Sequence, residues 1–465
     1  MFNKDEYINR RKSLKSNFSS GVLLFLGNEE SPINFFDNTY HFRQDSSFLY
    51  YFGISAPKLA AIIDIDEDKV IIFGDEMSID EIVWMGRQQT LADKAAQSGI
   101  TLVEPASMLS SYLKNVQLKQ RAIHFLPPYR AENKLKIASM LGWLIDSVKD
   151  HASIALIKAV VAQRSIKSAS ELAELDVASS ISADMHLLAM RIARPGMKES
   201  EIAAAIQQVA LKDGGNLAYP VILTVDGQIL HNHYHGNILK EGDLVLNDSG
   251  AESVMGYAGD LTRTFPAGKK FSTKQNEMYS LVLESYDRAV NALKPGVKYL
   301  DIHYTACLAL AEGLKALGLM KGNMDDAVAV GAHALFFQCG TGHMMGLDVH
   351  DMEDLGEQYV GYTDQQKKNT SQFGLKSLRL GKELENGYVL TVEPGLYFIP
   401  ELIEQWKATA KFSDFINYHK VEEYKDFGGI RVEDDYVITE NSYRKLGKEL
   451  AISVNDIEEI RAAAY

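Results

Sequence analysis

The chain has 465 residues, 46% hydrophobic and 24% charged, which is enough for two or three globular domains and too long for a small cross-linked scaffold. With 48 Lys and Arg against 62 Asp and Glu, its formal net charge of −14 argues against a nucleic acid or an anionic membrane as the main partner. Two cysteines, Cys307 and Cys339, cannot build a disulfide framework and fit a reducing cytoplasm; residues 1–12 lack the apolar core of a secretion signal, and the first apolar run, Val22–Leu26, is far too short to span a membrane.

The first third reads as mixed α/β. Residues 21–27 predict a buried strand between glycines. Residues 59–63 and 70–74 predict two more, split by an acidic turn carrying Asp64, Asp66, Glu67 and Asp68, and residues 122–126 a fourth, stopped by Pro127 and Pro128. Residues 132–148 read as a helix. The aromatic-rich stretch 40–53 reads as a packed core or interface segment. A boundary falls at 158/159, where a strand-like run, 154–161, leads into the capping-box pattern Ser168-Ala-Ser-Glu171. That pattern opens a helix to about Arg194, closed by Pro195-Gly196. Helices over 200–211, 272–293 and 300–317 follow, with strand-and-turn text at Leu244–Ser249, 388–393 and 429–439. There is no internal repeat and no low-complexity run. The expected architecture is α+β: an α/β domain over 1–158, then a domain over 159–465 with helices covering a curved antiparallel sheet.

Four strand-end segments in the second part carry chemistry. An apolar strand ends in Asp248, a glycine-containing turn follows, and Asp260 returns twelve positions later. A hairpin can set two such carboxylates side by side, where they repel unless a cation lies between them; otherwise they are two unrelated turn aspartates. Gly340-Thr-Gly-His343 places a histidine among glycines, with His350 seven residues on. Each is either structural or functional, as a metal ligand or as a group that steadies an oxyanion. Tyr388-Val-Leu-Thr-Val-Glu393 delivers a glutamate at the end of an apolar strand, where it either finds a partner or reaches solvent. In Gly429-Ile-Arg431-Val-Glu433-Asp-Asp435, period-two alternation puts Arg431, Glu433 and Asp435 on one face, which read alone is a solvated face. Together Asp248, Asp260, His343, Glu393 and Glu433 form an oxygen-rich set with one nitrogen. It suits two divalent ions sharing bridging carboxylates, Mn2+ first and Co2+, Zn2+ or Fe2+ as alternatives. Such a pair makes water nucleophilic at neutral pH.

At these residues the sequence resembles the pita-bread metallopeptidases, in the branch of Xaa-Pro aminopeptidase (aminopeptidase P) and Xaa-Pro dipeptidase (prolidase). The matching stretches begin with Asp243-Leu-Val-Leu-Asn-Asp248-Ser-Gly-Ala and Gly256-Tyr-Ala-Gly-Asp260-Leu-Thr-Arg-Thr-Phe-Pro266. Gly342-His343, Gly346-Leu-Asp-Val-His-Asp351, Thr391-Val-Glu-Pro-Gly-Leu-Tyr-Phe398 and Gly429-Ile-Arg-Val-Glu433-Asp-Asp follow in order. Phe42-Arg-Gln-Asp-Ser-Ser-Phe-Leu-Tyr-Tyr-Phe-Gly53 and Trp84-Met-Gly-Arg87 look like that branch's non-catalytic N-terminal domain, so the likeness covers nearly the whole chain.

The resemblance implies a pita-bread catalytic domain preceded by a creatinase-like domain concerned with oligomerisation and substrate access. It implies that Asp248, Asp260, His343, Glu393 and Glu433 are the metal ligands, with Asp260 and Glu433 bridging. Glu393 would also carry a proton from the nucleophilic water to the leaving proline nitrogen, and His350 would contact the scissile carbonyl oxygen or the tetrahedral intermediate. His231, close to His233 and His235, falls where the family has a substrate-contacting histidine, and Arg431 would hold the acidic cluster in place. Arg379 resembles the prolidase arginine that grips a dipeptide's carboxylate; its other reading is a surface-loop arginine.

Three features depart from the family pattern. The interval between Asp248 and Asp260 is one residue longer than usual, which predicts a hairpin bulge in the turn 251–255. Cys339 stands where relatives commonly have a histidine, either altering substrate binding or sitting as a buried inert thiol. The interval from His350 to Glu393 is long.

The activity so implied is release of the N-terminal residue from Xaa-Pro peptides by a dinuclear-metal exopeptidase, with a dipeptide-preferring enzyme as the alternative. A non-enzymatic pita-bread interaction module is the reading from another class, disfavoured because all five ligands are present. The expected partners are proline-containing peptides and further copies of the chain, as dimer or tetramer through the aromatic surface around 35–52, with no nucleic acid and no membrane. The expected location is the cytoplasm.

Overall fold

Short runs of branched and aromatic residues build the first sheet. Val22–Leu26, Ala60–Asp64 and Lys69–Phe73 pair antiparallel in sequence order, Ile123–Phe125 adds parallel to the first, and Leu102–Glu104 adds parallel to the third. The last is a largely exposed edge strand, which hydrophobic patterning did not mark. One face of the sheet, with Val22, Leu24, Ile62, Ile71 and Phe73, packs on Leu109, Leu113, Ile137 and Leu141 from the helices Met108–Leu118 and Ala131–Leu141. The computed structural model describes residues 1–465, which divide into two compact units: 1–164 with 352–359, and 165–351 with 360–465.

Two local expectations are corrected in the first unit, and one helix was not anticipated. Residues 154–161 are not a strand but the start of the helix Ile154–Ser165, so position 158 lies inside a helix. Leu156, Ile157, Val160 and Val161 are its buried apolar residues, and that spacing is a helical stripe which an uninterrupted apolar run conceals. The helix expected over 132–148 stops at Leu141, because Gly142 adopts a left-handed conformation (φ 73°) that caps it; a 3-10 turn over Ile145–His151 follows. The polar start hides a helix, Lys4–Lys15, whose buried face contains Arg10 and Arg11. Their guanidinium groups donate to the carbonyls of Tyr50 (3.0 Å) and Tyr51 (2.7 Å), at the C-terminal end of the helix Ser46–Phe52. Cations satisfy carbonyls that a helix end leaves without partners. That second helix carries the aromatic stretch, with Phe48, Tyr50, Tyr51 and Phe52 all buried, whereas Phe35, Phe36 and Tyr40 are exposed.

In the second unit the four expected helices are Ala169–Ile192, Glu199–Leu211, Thr273–Asn291 and Tyr299–Ala316, and the first is opened by the reciprocal Ser168–Glu171 capping box. Its sheet is a set of short antiparallel ladders. Leu244–Ser249 lies between Ile222–Thr224 and Leu261–Pro266; Val389–Val392 pairs with Asp434–Ile438; Gly395–Tyr397 pairs with Gly429–Arg431. The segment 429–439 is therefore two strands in two ladders rather than one alternating strand. Its charged residues form no solvated face, since Arg431, Glu433, Asp434 and Asp435 are all buried. A bridge between Thr262 and Glu433 ties the first ladder to the second. No helix is long and apolar enough to cross a membrane.

His186, on the helix Ala169–Ile192, fixes the strand that leads to the site. Its Nε2 lies 3.0 Å from the Ser249 carbonyl and its Nδ1 3.0 Å from the Asn247 amide nitrogen, an arrangement satisfied by the neutral ring with Nε2 protonated. Burial, helped by the nearby Arg263 charge, lowers its pKa to about 4. The unfolded chain, at about 6.5, takes up this proton first, so the stabilisation present above pH 6.5 is lost as pH falls towards 4. In urea titrations of chelator-treated protein, wild type is expected to lose roughly 2–3 kcal/mol more than His186→Gln between pH 7 and pH 4. Equal losses in the two proteins would contradict this role.

Candidate metal centre

The hairpin that carries the two aspartates is built around its glycines. Asp248, next to last in Leu244–Ser249, lies opposite Thr262, and Asp260 immediately precedes the returning strand. Between them Gly250 lies against Gly259 so closely that a Cβ on Gly250 would fall 1.8 Å from the Gly259 carbonyl oxygen. At the tip, the Gly256 N–H donates to the Ser253 carbonyl and the Ser253 N–H to the Tyr257 carbonyl, both at 2.8 Å, with Gly256 at φ 85°. This is a three-residue turn closed by a glycine bulge, one position beyond the expected 251–255 turn. Both carboxylates stay on one side.

Tyr219 confirms their proximity, because its hydroxyl reaches Asp248 Oδ1 at 2.7 Å and also contacts Asp260 Oδ1. Nothing in the surrounding Leu-Ala-Tyr-Pro text marks this tyrosine, so it was missed. Asp260 Oδ2 also lies 3.3 Å from His343 Nε2, and the Asp260 backbone N–H donates to Asp435 Oδ2 at 3.0 Å. Asp435, which also accepts from Ser179 (2.7 Å), thus serves as a support beneath the site.

His343 is oriented by its other nitrogen. Nδ1 faces the Met344 carbonyl at 3.1 Å, which leaves Nε2 directed at Asp260 and, at 3.6 Å, at Glu393 Oε1. With Nδ1–H donating to a carbonyl, only a proton or a cation at Nε2 makes those carboxylate contacts favourable. Asp260, His343 and Glu433 present ligand atoms within 4.8 Å of one another. Glu433 Oε2 accepts from Thr262 Oγ1 at 2.6 Å, and that same Oγ1 accepts from Arg431 Nε at 3.2 Å. Arg431 pairs through its terminal nitrogens with Asp248 and with the Tyr397 hydroxyl (2.8 Å).

The other expected site residues surround this cluster. The His350 ring meets that of His343 edge to face, with centroids 4.3 Å apart. Arg379 is half-buried, and its charge acts on both Glu393 and His231, which places it toward the site. His231 is exposed in a turn at the margin, in the field of Asp248, Arg431 and Arg379. Cys339 lies near Tyr397 and Glu393, and burial pushes its thiol up to about 12. At that value it is an unreactive thiol rather than a nucleophile.

The balance of charge is the test of fit. Four largely buried carboxylates, Asp248, Asp260, Glu393 and Glu433, share this space with the Arg431 and Arg379 guanidinium groups and the His343 imidazole. Burial and mutual repulsion push Glu433 well above the usual carboxylate range. Burial raises Glu393 to about 7 against the pull of His343 and Arg431. Burial also opposes the charged form of Asp260, but His343 and Tyr219 outweigh it and hold this group low. Oxygen-rich, acidic and organised by outer hydrogen bonds, the donors fit a dinuclear divalent-metal centre. Cations binding here must displace the protons on Glu433 and Glu393, so affinity falls as pH drops below neutrality. Mn2+ affinity of the chelator-treated protein is expected to fall about tenfold per pH unit, between pH 7.5 and 6, for each proton displaced. Calorimetry in buffers of different ionisation enthalpy counts those protons, and Glu433→Gln should lower the number; a pH-independent affinity would contradict the assignment.

The model of the metallopeptidase family M24 matches residues 173–440, and that of the aminopeptidase P N-terminal domain matches residues 7–124. Human Xaa-Pro dipeptidase is 31% identical over 457 residues, covering 96% of this chain and 88% of the human protein. Xaa-Pro aminopeptidase of Escherichia coli is 30% identical over 481 residues, covering 99% and 98%. Among solved structures, an E. coli aminopeptidase P in complex with substrate superposes with a TM-score of 0.80 at 29% identity, and the Pseudomonas aeruginosa aminopeptidase PepP with 0.81 at 27% identity; each comparison covers 100% of this chain and 99% of the other. The ladders that carry the acidic cluster lie within the matched catalytic segment, and the chain belongs to metallopeptidase family M24.

Proposed function

We propose that the protein is a dinuclear-metal exopeptidase that hydrolyses the Xaa-Pro bond and releases the N-terminal residue of peptides. The observation that carries this reading is the convergence of Asp248, Asp260, His343, Glu393 and Glu433 from strands far apart in sequence. Two divalent ions, for which Mn2+ is the natural choice, would polarise the scissile carbonyl and make the attacking water nucleophilic at neutral pH. Asp248, Asp260, His343, Glu393 and Glu433 would hold them.

The chain's own groups supply the rest. Glu393, raised towards neutrality by burial, takes the proton of the attacking water and returns it to the proline nitrogen as the bond breaks. His350, against the His343 ring, steadies the oxygen of the former carbonyl. Tyr219 and Arg431 hold Asp248, Asp260 and Glu433 in place. The substrate α-amine is held by the ligand carboxylates, which confines cleavage to the first residue. A bond to proline is a tertiary amide with no N–H, and a site that activates the carbonyl does not need one.

A dipeptide preference is the second reading, favoured by Arg379. Half-buried and acting on Glu393 and His231, it would bind a terminal carboxylate, with His231 as a further substrate contact. For the first unit we propose self-association and control of substrate access, supported by the exposed Phe35, Phe36, Val83 and Trp84; dimer and tetramer both satisfy this. Two free cysteines support a reducing, cytoplasmic location.

Asp260→Ala and Glu433→Ala are each expected to lower turnover of Ala-Pro-Ala by more than about a hundredfold, since loss of an outer partner alone costs ~10–100-fold. Their far-ultraviolet circular dichroism should stay unchanged, and near-normal turnover in either variant would overturn the assignment. Arg379→Ala is expected to raise KM for Ala-Pro far more than KM for Ala-Pro-Ala. A variant that spares the dipeptide would remove the carboxylate-clamp role.

A further inference from the structure

A second cluster of ligand-type side chains lies outside the acidic centre and shares no residue with it. His303 and Cys307 stand four positions apart on the helix Tyr299–Ala316 and therefore on one face. His333, from the 3-10 turn Ala332–Leu335, completes the group. All three are buried, and each offers a ligand atom within 4.8 Å of the others'. His303 Nδ1 is held by Thr341 Oγ1 at 2.8 Å, which leaves Nε2 facing Cys307 Sγ at 3.5 Å. His333 Nδ1 is buried with no hydrogen-bond partner. An orphaned, buried ring nitrogen is costly, and a purely structural histidine ordinarily has its ring nitrogens satisfied. The hydroxyl on His303 is the kind of outer contact that orients a ligating imidazole.

We propose that His303, Cys307 and His333 bind a single zinc-class ion, one that accepts a thiolate and imidazoles, at a site distinct from the acidic centre. The donor sets separate the two sites chemically. One sulfur and two nitrogens select a borderline or soft ion, whereas the carboxylate-rich centre selects a harder one. On binding, the Cys307 thiol loses its proton to solvent and the sulfur forms the metal bond, so one proton is released per ion with no change of oxidation state. A fourth position remains for a water molecule or another donor. Because the three residues are buried, the ion enters as the chain folds.

Cobalt reports on this site independently of the peptidase assignment. A cobalt–thiolate bond gives an intense near-ultraviolet charge-transfer band, and the five proposed ligands of the acidic centre include no sulfur. Protein produced in cobalt-supplemented medium is expected to show this band and to hold one more cobalt ion per chain than Cys307→Ser. Cys307→Ser should lack the band, and Cys339→Ser, which removes the other thiol, should retain it. His333→Gln, which keeps the thiol but removes a ligand, should weaken or abolish it and serves if Cys307→Ser fails to fold. Absence of the band from wild type, or its loss in Cys339→Ser with retention in Cys307→Ser, would overturn the proposal. A band that survives in His333→Gln at unchanged cobalt content would do the same.

Discussion

Buried negative charge is the constraint on which the second unit depends. Carboxylates lose several kcal/mol each on leaving water, and this unit brings four of them to one place, opposed by Arg431, His343 and the charge of Arg379. Such a cluster persists because rigid neighbours hold it and because it is completed by cations of higher charge. The shifts inside it follow from that shortage of positive charge. Glu433 and Glu393 are driven up, while Asp260, with the best local hydrogen bonding, stays low.

The ladders explain how so costly an arrangement is held. Each ladder is short, and the proposed ligands sit where one ends and the next begins: Asp248 near the end of its strand, Asp260 and Glu433 just before theirs, and Glu393 just after its own. The Thr262–Glu433 bridge joins the two ladders, and Thr262 uses its hydroxyl to serve Glu433 and Arg431 together. Tyr219 performs a similar service for the aspartate pair. Binding chemistry and fold therefore share the same hydrogen bonds, and a substitution among these outer groups acts on both.

Of the proposed ligands, Asp248 and Glu393 were legible because each ends an apolar run, where a charged residue has no packing reason to be, whereas Asp260, His343 and Glu433 stood out through the family resemblance. The helices of the second unit were equally plain, since capping residues and glycines punctuate them. Other features escaped for definite reasons. The helix Lys4–Lys15 buries arginines, so its inward face looks like a solvent face in the sequence. Ile154–Ser165 is apolar without visible period, and length alone had to choose between strand and helix. The alternation 429–435 was real as a pattern but crosses from one ladder to another, so its charged positions became interior ones. Tyr219 carries no local signature, because its importance comes wholly from what the fold brings to it.

The contact between Gly250 and Gly259 has a consequence for how this centre can vary. A side chain on Gly250 would meet the opposite backbone before it met anything else. Even the smallest branch would wedge the hairpin open at the level of its two acids. Diversification of the protein is thus barred at a position that touches neither ion nor peptide, and two chemically mute residues set the spacing on which hydrolysis would turn.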